Sequence, residues 1–292
     1  MGSLKVLSAG LFTTIQDIGR IGFRKYGVPL SGVMDRKAYE LSNWLVGNEI
    51  GAPVLELTMS GGKYEFETNA SIAITGADMK PSINSKPVPI NKTLTVERGD
   101  TLSFQFSDRG CRAYLAVRGM LEVNQVMNSY STYTVGGFGG LDGRSLQKGD
   151  VLSWEEPSGE VLIREADKAE IPYYSSKVTI KVIAAPEWDW LSEAEQKKVL
   201  SQKFTVDSSS NRMGLRLTGN SIEVPNIQMT SSPVMPGIIQ LPKSGEPIIL
   251  MVDGQTIGGY PRILKVLNSE LWRLGQVKPG DTVSFERMNI EL

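Results

Sequence analysis

Nine residues in the C-terminal half gather more polar chemistry than a turn requires: Asp253-Gly254-Gln255-Thr256-Ile257-Gly258-Gly259-Tyr260-Pro261. A carboxylate, an amide, a hydroxyl and a phenol share one connection with three glycines. An apolar run, Pro247 to Val252, precedes it, and another, Ile263 to Leu267, follows. Loops carried by rigid strands are where binding and catalytic groups concentrate. Asp253 could exchange a proton or hold a metal ion, and Tyr260 could donate a hydrogen bond. The structural alternative is a hairpin whose glycines supply positive φ.

Two further polar clusters stand out. One holds Gln16, Asp17, Arg20, Ser31, Asp35 and Arg36 around the segment Gly27 to Asp35. The other is Asn211-Arg212-Met213-Gly214. Arginine offers a fixed fork of donors to a carboxylate or phosphate. Most surface Asp and Arg are merely solvated or paired, so spacing alone does not make these groups converge.

The 292-residue chain has no histidine and one cysteine, Cys111. That excludes His-ligated zinc, a Ser-His-Asp triad and a Cys-His dyad. Acid–base chemistry falls to Asp, Glu, Lys, Tyr or a partner's groups. A lone cysteine forms no internal disulfide and fits a reducing compartment. The net charge of -1 gives no basic excess for nucleic acid. No apolar run is long enough to span a membrane, and Met1 to Leu11 lacks a signal-peptide pattern. A cytoplasmic protein is expected.

The glycine loop Gly136-Gly137-Phe138-Gly139-Gly140-Leu141-Asp142-Gly143-Arg144 resembles a phosphate loop only superficially. It lacks the Gly-Lys-Ser/Thr ending and a βαβ frame. It is either a flexible connection or a loop that closes over a ligand or partner.

The elements that must position these groups are mostly strands. Leu4 to Leu11 opens the chain, and from Pro53 to Phe106 short alternating runs are separated by Gly, Asn, Pro and Asp. That texture points to an all-β barrel or sandwich. Asp35 is placed to cap a helix over Arg36 to Val46, with Ala38, Leu41, Leu45 and Val46 on one face and Gly47-Asn48 ending it. Ser192 with Glu195 predicts a second helix cap. The charged stretch Glu155 to Ser176 is the linker candidate, which divides the chain into domains 1–175 and 176–292. Arg98-Gly99-Asp100, Lys148-Gly149-Asp150 and Pro279-Gly280-Asp281 each feed a run of apolar, Ser and aromatic residues. This echo and the similar starts Leu4-Lys5-Val6-Leu7 and Ile180-Lys181-Val182-Ile183 tilt the expectation toward two related barrels.

Longer motifs then carry a resemblance. Thr13-Thr14-Ile15-Gln16-Asp17 with Gly19-Arg20, Gly27-Val28-Pro29 with Ser31-Gly32, and Met34-Asp35 are similar to the start of the KipA/allophanate hydrolase subunit 2 family. Gly136 to Gly140, Pro186-Glu187-Trp188-Asp189, Ser210-Asn211-Arg212-Met213-Gly214, Pro236-Gly237 and the Asp253 to Pro261 loop extend the likeness over nearly the whole chain.

The resemblance implies a mainly β protein of two cyclophilin-like β-barrel domains with a few short helices. It implies a composite site formed with a KipI-like partner protein. Free-standing members resemble the C component of an ATP-dependent 5-oxoprolinase. That enzyme opens 5-oxoproline to L-glutamate with the KipI-like protein as its B component and a LamB/YcsF-like protein as its A component. Related domains are the carboxyltransferase part of urea carboxylase, supplied by carboxybiotin. A third possibility is a non-catalytic antagonist of a KipI-like regulator. The chain shows no ATP-binding signature and no Met-Lys-Met biotin attachment motif, so ATP is expected at a partner interface and biotin on another chain. Opening a lactam develops negative charge, which Arg, Lys or backbone N–H groups can stabilise. Asp253 and Tyr260 are the catalytic candidates. Gln16, Arg20, Ser31, Asp35, Arg212, Gln255 and Thr256 are the substrate-binding candidates, and no metal is expected.

Overall fold

The computed structural model describes residues 1–289. They form two compact units: residues 1–20 with 31–174, and residues 21–30 with 175–292. The short segment 21–30 therefore interrupts the first unit in sequence while belonging to the second.

The first unit is built on two sheets. One has seven strands, centred on Lys63–Phe66 between Gly2–Ser8 and Thr101–Ser103, with Val151–Glu155 on the far side of Gly2–Ser8. The other has five, centred on Arg112–Val117 between Val54–Thr58 and Ala70–Gly76. Leu4, Val6, Tyr64, Phe66 and Trp154 from the first sheet share one apolar core with Leu55, Ile72, Ile74 and Leu115 from the second. Alternating strand positions supply this core, since successive side chains point to opposite faces. Trp154 meets the Phe66 ring edge-on, 6.5 Å between centroids.

Helix α1 (Arg36–Val46) covers the five-stranded sheet. The Asp35 carboxylate accepts from the Ala38 N–H at 3.1 Å, and Gly47 ends the helix with a left-handed φ of 74°. Its face of Ala38, Tyr39, Leu45 and Val46 packs on Ala73, Tyr114 and Ala116. The stretch after Glu155 is no free linker. Arg118 donates to the Pro157 and Gly159 carbonyls at 3.1 and 3.2 Å, and Ala166 N–H reaches the Asn91 carbonyl at 3.0 Å.

The second unit is a closed seven-stranded barrel. Lys177–Ala184 starts it, antiparallel to Arg262–Val266 on one side and parallel to Thr282–Arg287 on the other. Its inward residues Val178, Ile180 and Val182 alternate with exposed ones. Helix α2 (Glu193–Ser201) starts at Ser192, whose hydroxyl accepts from the Glu195 N–H at 3.3 Å. Of the expectation of two cyclophilin-like barrels, the structure bears out a mainly β fold with one closed barrel and a few short helices; the first unit presents two sheets around a core.

The repeated Gly-Asp turn is one physical device used three times. Gly99, Gly149 and Gly280 take φ of 91°, 98° and 88°. Each following carboxylate accepts a backbone N–H from three residues earlier: Glu97 at 2.8 Å, Gln147 at 2.7 Å and Lys278 at 3.0 Å. The turns feed Thr101–Ser103, Val151–Glu155 and Thr282–Arg287.

The connection 253–261 is not a tight hairpin. Ile238–Gln240 lies between Ile248–Leu250 and Arg262–Val266 in the barrel, so the chain must cross a strand to pass from one to the other. On the way it forms a small ribbon, with Ile257–Gly258 paired to Ser232–Pro233.

Candidate functional site

In the second unit, backbone pairing first brings two distant loops together. Asp253 N–H donates to the Arg212 carbonyl at 2.9 Å, and Met251 N–H to the Met213 carbonyl at 3.0 Å. The side chains then close a two-point ion pair: Arg212 Nε to Asp253 Oδ2 at 2.8 Å, and Nη2 to Oδ1 at 3.2 Å. Both side chains are buried. Both oxygens of Asp253 are engaged by Arg212, so this carboxylate positions the guanidinium in the geometry observed.

The rest of the loop is neutral and polar. Gln255 donates its Nε2 to Gln240 Oε1 at 3.2 Å, and Gln240 Nε2 reaches back to the Tyr260 carbonyl at 3.5 Å. The Thr256 carbonyl accepts from Val234 N–H at 2.9 Å. Tyr260 is exposed at the end of the connection.

Two other arginines bind the ribbon and its flanks. Arg24, on the segment 21–30, donates through Nη2 to the carbonyls of Val234 and, at 3.4 Å, Gln255. Arg262 donates through Nη1 to the Pro233 carbonyl at 3.1 Å. It also grips Glu187 through Nε and Nη2 at 2.8 and 2.7 Å. Those hydrogen bonds hold the Glu187 carboxyl below the usual glutamate range, against the opposing effect of its burial. Burial pulls the Arg24 guanidinium below its ordinary value. Arg212 thus anchors the start of this connection at Asp253, Arg24 meets it at the Gln255 carbonyl, and Arg262 follows its end and holds the paired Pro233 carbonyl.

In the first unit Gln16 and Arg20 flank a network built on Asp17, and Asp35 lies in another. The Asp17 carboxylate accepts from Gly19 N–H at 2.8 Å, Ser129 Oγ at 2.6 Å, Tyr130 N–H at 2.7 Å and Ser131 Oγ. Gln16 lies beside it, fully buried, with Nε2 on Thr14 Oγ1 at 2.9 Å and the Thr132 carbonyl at 3.2 Å. Its Oε1 and the buried Ser31 hydroxyl make no hydrogen bond. Ser31 holds a left-handed φ of 53°.

Arg20 is also fully buried. It donates to the Ser131 carbonyl and lies 4.8 Å from the centre of the Phe138 ring. The glycine loop is thus seated on Arg20. A Cβ on Gly139 would fall 2.0 Å from the Ser131 carbonyl oxygen and 2.3 Å from Arg20 Nη2, so only glycine fits. The reading of a flexible loop gives way to a packed one.

Asp35 has a structural task. Besides capping α1 it accepts from the Tyr174 hydroxyl at 2.9 Å, while its N–H donates to the Tyr114 hydroxyl at 2.7 Å. Tyr114 in turn donates to Glu56 at 2.9 Å.

The fold thus groups Arg212, Asp253, Gln255, Thr256 and Tyr260 in the second unit, and Gln16, Arg20, Ser31 and Asp35 in the first. Sequence reading passed over Arg24, Gln240 and the Glu187–Arg262 pair. Arg24 carried a signal, a cationic side chain beside the glycine-rich segment 27–32, and Glu187 stood inside a quoted motif. Among the described residues no group of three His, Cys, Asp or Glu could hold a metal ion, and no helix is long and apolar enough to cross a membrane.

Comparison with known proteins places this geometry. The family model described as the carboxyltransferase domain, subdomain A and B, matches residues 26–287. The chain is 35% identical to the C component of 5-oxoprolinase from Escherichia coli (strain K12), over 99% of this chain and 92% of that protein. It is 37% identical to urea amidolyase of Lachancea kluyveri, over 97% of this chain but 17% of that protein. The crystal structure of the K. lactis urea amidolyase superposes with a TM-score of 0.92 at 33% identity, covering 98% of this chain and 19% of the other. With these likenesses at nearly equal identity, the chain belongs to the family of carboxyltransferase domains of subdomain A and B type, related both to the 5-oxoprolinase C component and to the urea amidolyases and not clearly closer to either.

Proposed function

We propose that this chain supplies one half of a carboxyltransferase-type site acting on the N–C=O group of a small amide, with biotin carried by another chain. The observation that carries the reading is the connection 253–261, braced by arginines and carrying neutral hydrogen-bonding side chains, inside a carboxyltransferase domain. Gln255, Thr256 and Tyr260 offer the donors and acceptors that an amide or a cyclic ureido ring takes. That donor set suits the ureido group of biotin, which when bound supplies the carboxyl group. Arg212, held by Asp253, faces the charge that develops on an amide oxygen. Asp253 acts here through Arg212, and Tyr260 is the group free to donate a proton.

A second reading is favoured by the length of the match to the 5-oxoprolinase C component. Here the chain belongs to a cytoplasmic complex with a KipI-like protein and a LamB/YcsF-like protein. ATP then activates the lactam at an interface with the partner. Both readings act on one N–C=O unit: the first transfers a carboxyl group to its nitrogen, and the second activates its carbonyl. Gln16 and Ser31, whose buried oxygens lack partners, are the substrate-binding candidates of the first unit in either case.

Reconstitution tests both. The chain is purified with the KipI-like partner, then supplemented with ATP and either a biotin carrier and its carboxylase or the LamB/YcsF-like protein. Carboxylation of urea supports the first reading, and glutamate from 5-oxoproline the second. The chain alone should be inactive. Silence from every combination would sink both.

A further inference from the structure

The geometry points to Arg24 as the receptor for a carboxylate borne by the amide substrate itself. This deepens the proposed function and rests on it. Gly22 and Gly27, at φ of 93° and 82°, bracket a single helical turn over Arg24–Tyr26, closed by Gly27 N–H on the Arg24 carbonyl at 3.0 Å. The turn sets Arg24 against the ribbon, where Nη2 is held by the Val234 and Gln255 carbonyls.

The other terminal nitrogen is the informative one. Arg24 Nη1 is out of contact with solvent and has no hydrogen-bond partner. Arg262, on the same ribbon, and Arg212, at the start of the connection 253–261, are each gripped at two points by a carboxylate, Glu187 and Asp253. Among the described residues no Asp or Glu pairs with Arg24. Three cations thus share two anions. A partly buried guanidinium held only by carbonyl dipoles is poorly compensated. A carboxylate is the planar acceptor that matches its fork.

Beside it, Gln255 and Thr256 present neutral groups suited to an N–C=O unit. The pair of features selects a small amide carrying its own acid group over a neutral urea. Missing a built-in ionic contact costs a ligand far more than missing a methylene does.

The test uses two lactams that differ by one group, 5-oxoproline and 2-pyrrolidinone. Binding is measured by calorimetry on the full chain, alone and with its partner chains, for the wild type, Arg24→Gln and Arg24→Lys. The wild type should favour the carboxylated lactam by about tenfold or more. Arg24→Gln should reduce that preference to about twofold or less, and Arg24→Lys should keep part of it. Arg24 also holds two ribbon carbonyls, so the preference ratio is the readout; a loosened ribbon weakens both ligands alike.

Equal binding by the wild type, an unchanged ratio in Arg24→Gln, or no binding of either lactam in any assembly overturns the assignment. Turnover of urea without carboxylate preference overturns it while the carboxyltransferase reading stands. Carboxylate-dependent binding without activity in any reconstituted set upholds Arg24 and overturns the activity.

Discussion

Arg212 and Asp253, 41 residues apart, meet in a buried two-point ion pair with contacts of 2.8 and 3.2 Å. Removing one partner strands the other charge out of water. Arg212→Ala or Asp253→Ala should therefore cost about 3–5 kcal/mol of unfolding free energy. Replacing both with apolar residues, Arg212→Met with Asp253→Leu, should be close to neutral by the same argument. Urea denaturation of the four proteins checks this. A double variant as unstable as the single ones would mean that the pair is not acting as a unit.

The glycine loop offers a matched pair of substitutions. Gly137 and Gly139 have similar φ, 66° and 74°. A Cβ on Gly137 meets nothing within 4 Å, whereas one on Gly139 collides with the Ser131 carbonyl and Arg20. Gly137→Ala should cost about 1 kcal/mol, the backbone strain alone. Gly139→Ala should cost about 3 kcal/mol or more, because backbone cannot step aside as a flexible side chain can. Equal thermal midpoints for the two variants would contradict the packed loop.

Acid should loosen the second unit through Glu187. Its carboxyl is held below the ordinary value of 4.5, first by the side-chain hydrogen bond from Arg262. A carboxylate with a lowered folded-state pKa contributes stability that is present above the unfolded value and fades as pH falls through the folded one. Relative to Glu187→Gln, the wild type should be more stable at neutral pH. The gap should begin to narrow as pH drops below about 4.5. Unfolding curves from pH 7 to pH 3 give the comparison, and a gap that widens with acid would refute it.

Alkali should act on the first unit through Tyr64. Burial pushes its hydroxyl up to about 12, countered in part by hydrogen bonding to Thr13. The unfolded chain ionises near pH 10 while the folded tyrosine stays neutral. Stability is then complete below pH 10 and lost as pH rises toward 12. Tyr64→Phe should flatten that loss. Tyr39 and Tyr114, also raised by burial, should leave the remaining slope. Spectroscopic titration of the phenols alongside denaturation separates the contributions.

Local grammar made much of the fold readable. Asp35 and Ser192 announced their helices because a cap is a contact within three residues, and both caps form. The Gly-Asp turns were readable for the same reason. The crossing between Ile248–Leu250 and Arg262–Val266 was not, because strand order is decided by partners far along the chain. Site residues divide along the same line. Asp253 and Arg212 were both named as candidates, yet their union rests on backbone pairing between separate loops. Arg24 stood beside the glycine-rich segment 27–32, yet its meaning lies in a missing anion, and an unmet charge leaves no mark on spacing. The seating of the glycine loop on Arg20 and Phe138 was equally hidden, since glycine-rich composition describes freedom and tight contact alike.

The segment 21–30 has a consequence for biogenesis. A ribosome releases it early, before most of the first unit exists, yet the barrel it joins is completed only after Ser175 and beyond. Birth order and assembly order are therefore mismatched. An expression fragment starting at residue 176 would be missing a piece made long before, including Arg24, and would be repaired by adding the peptide 21–30 in trans rather than by extending its own N-terminus back to residue 155.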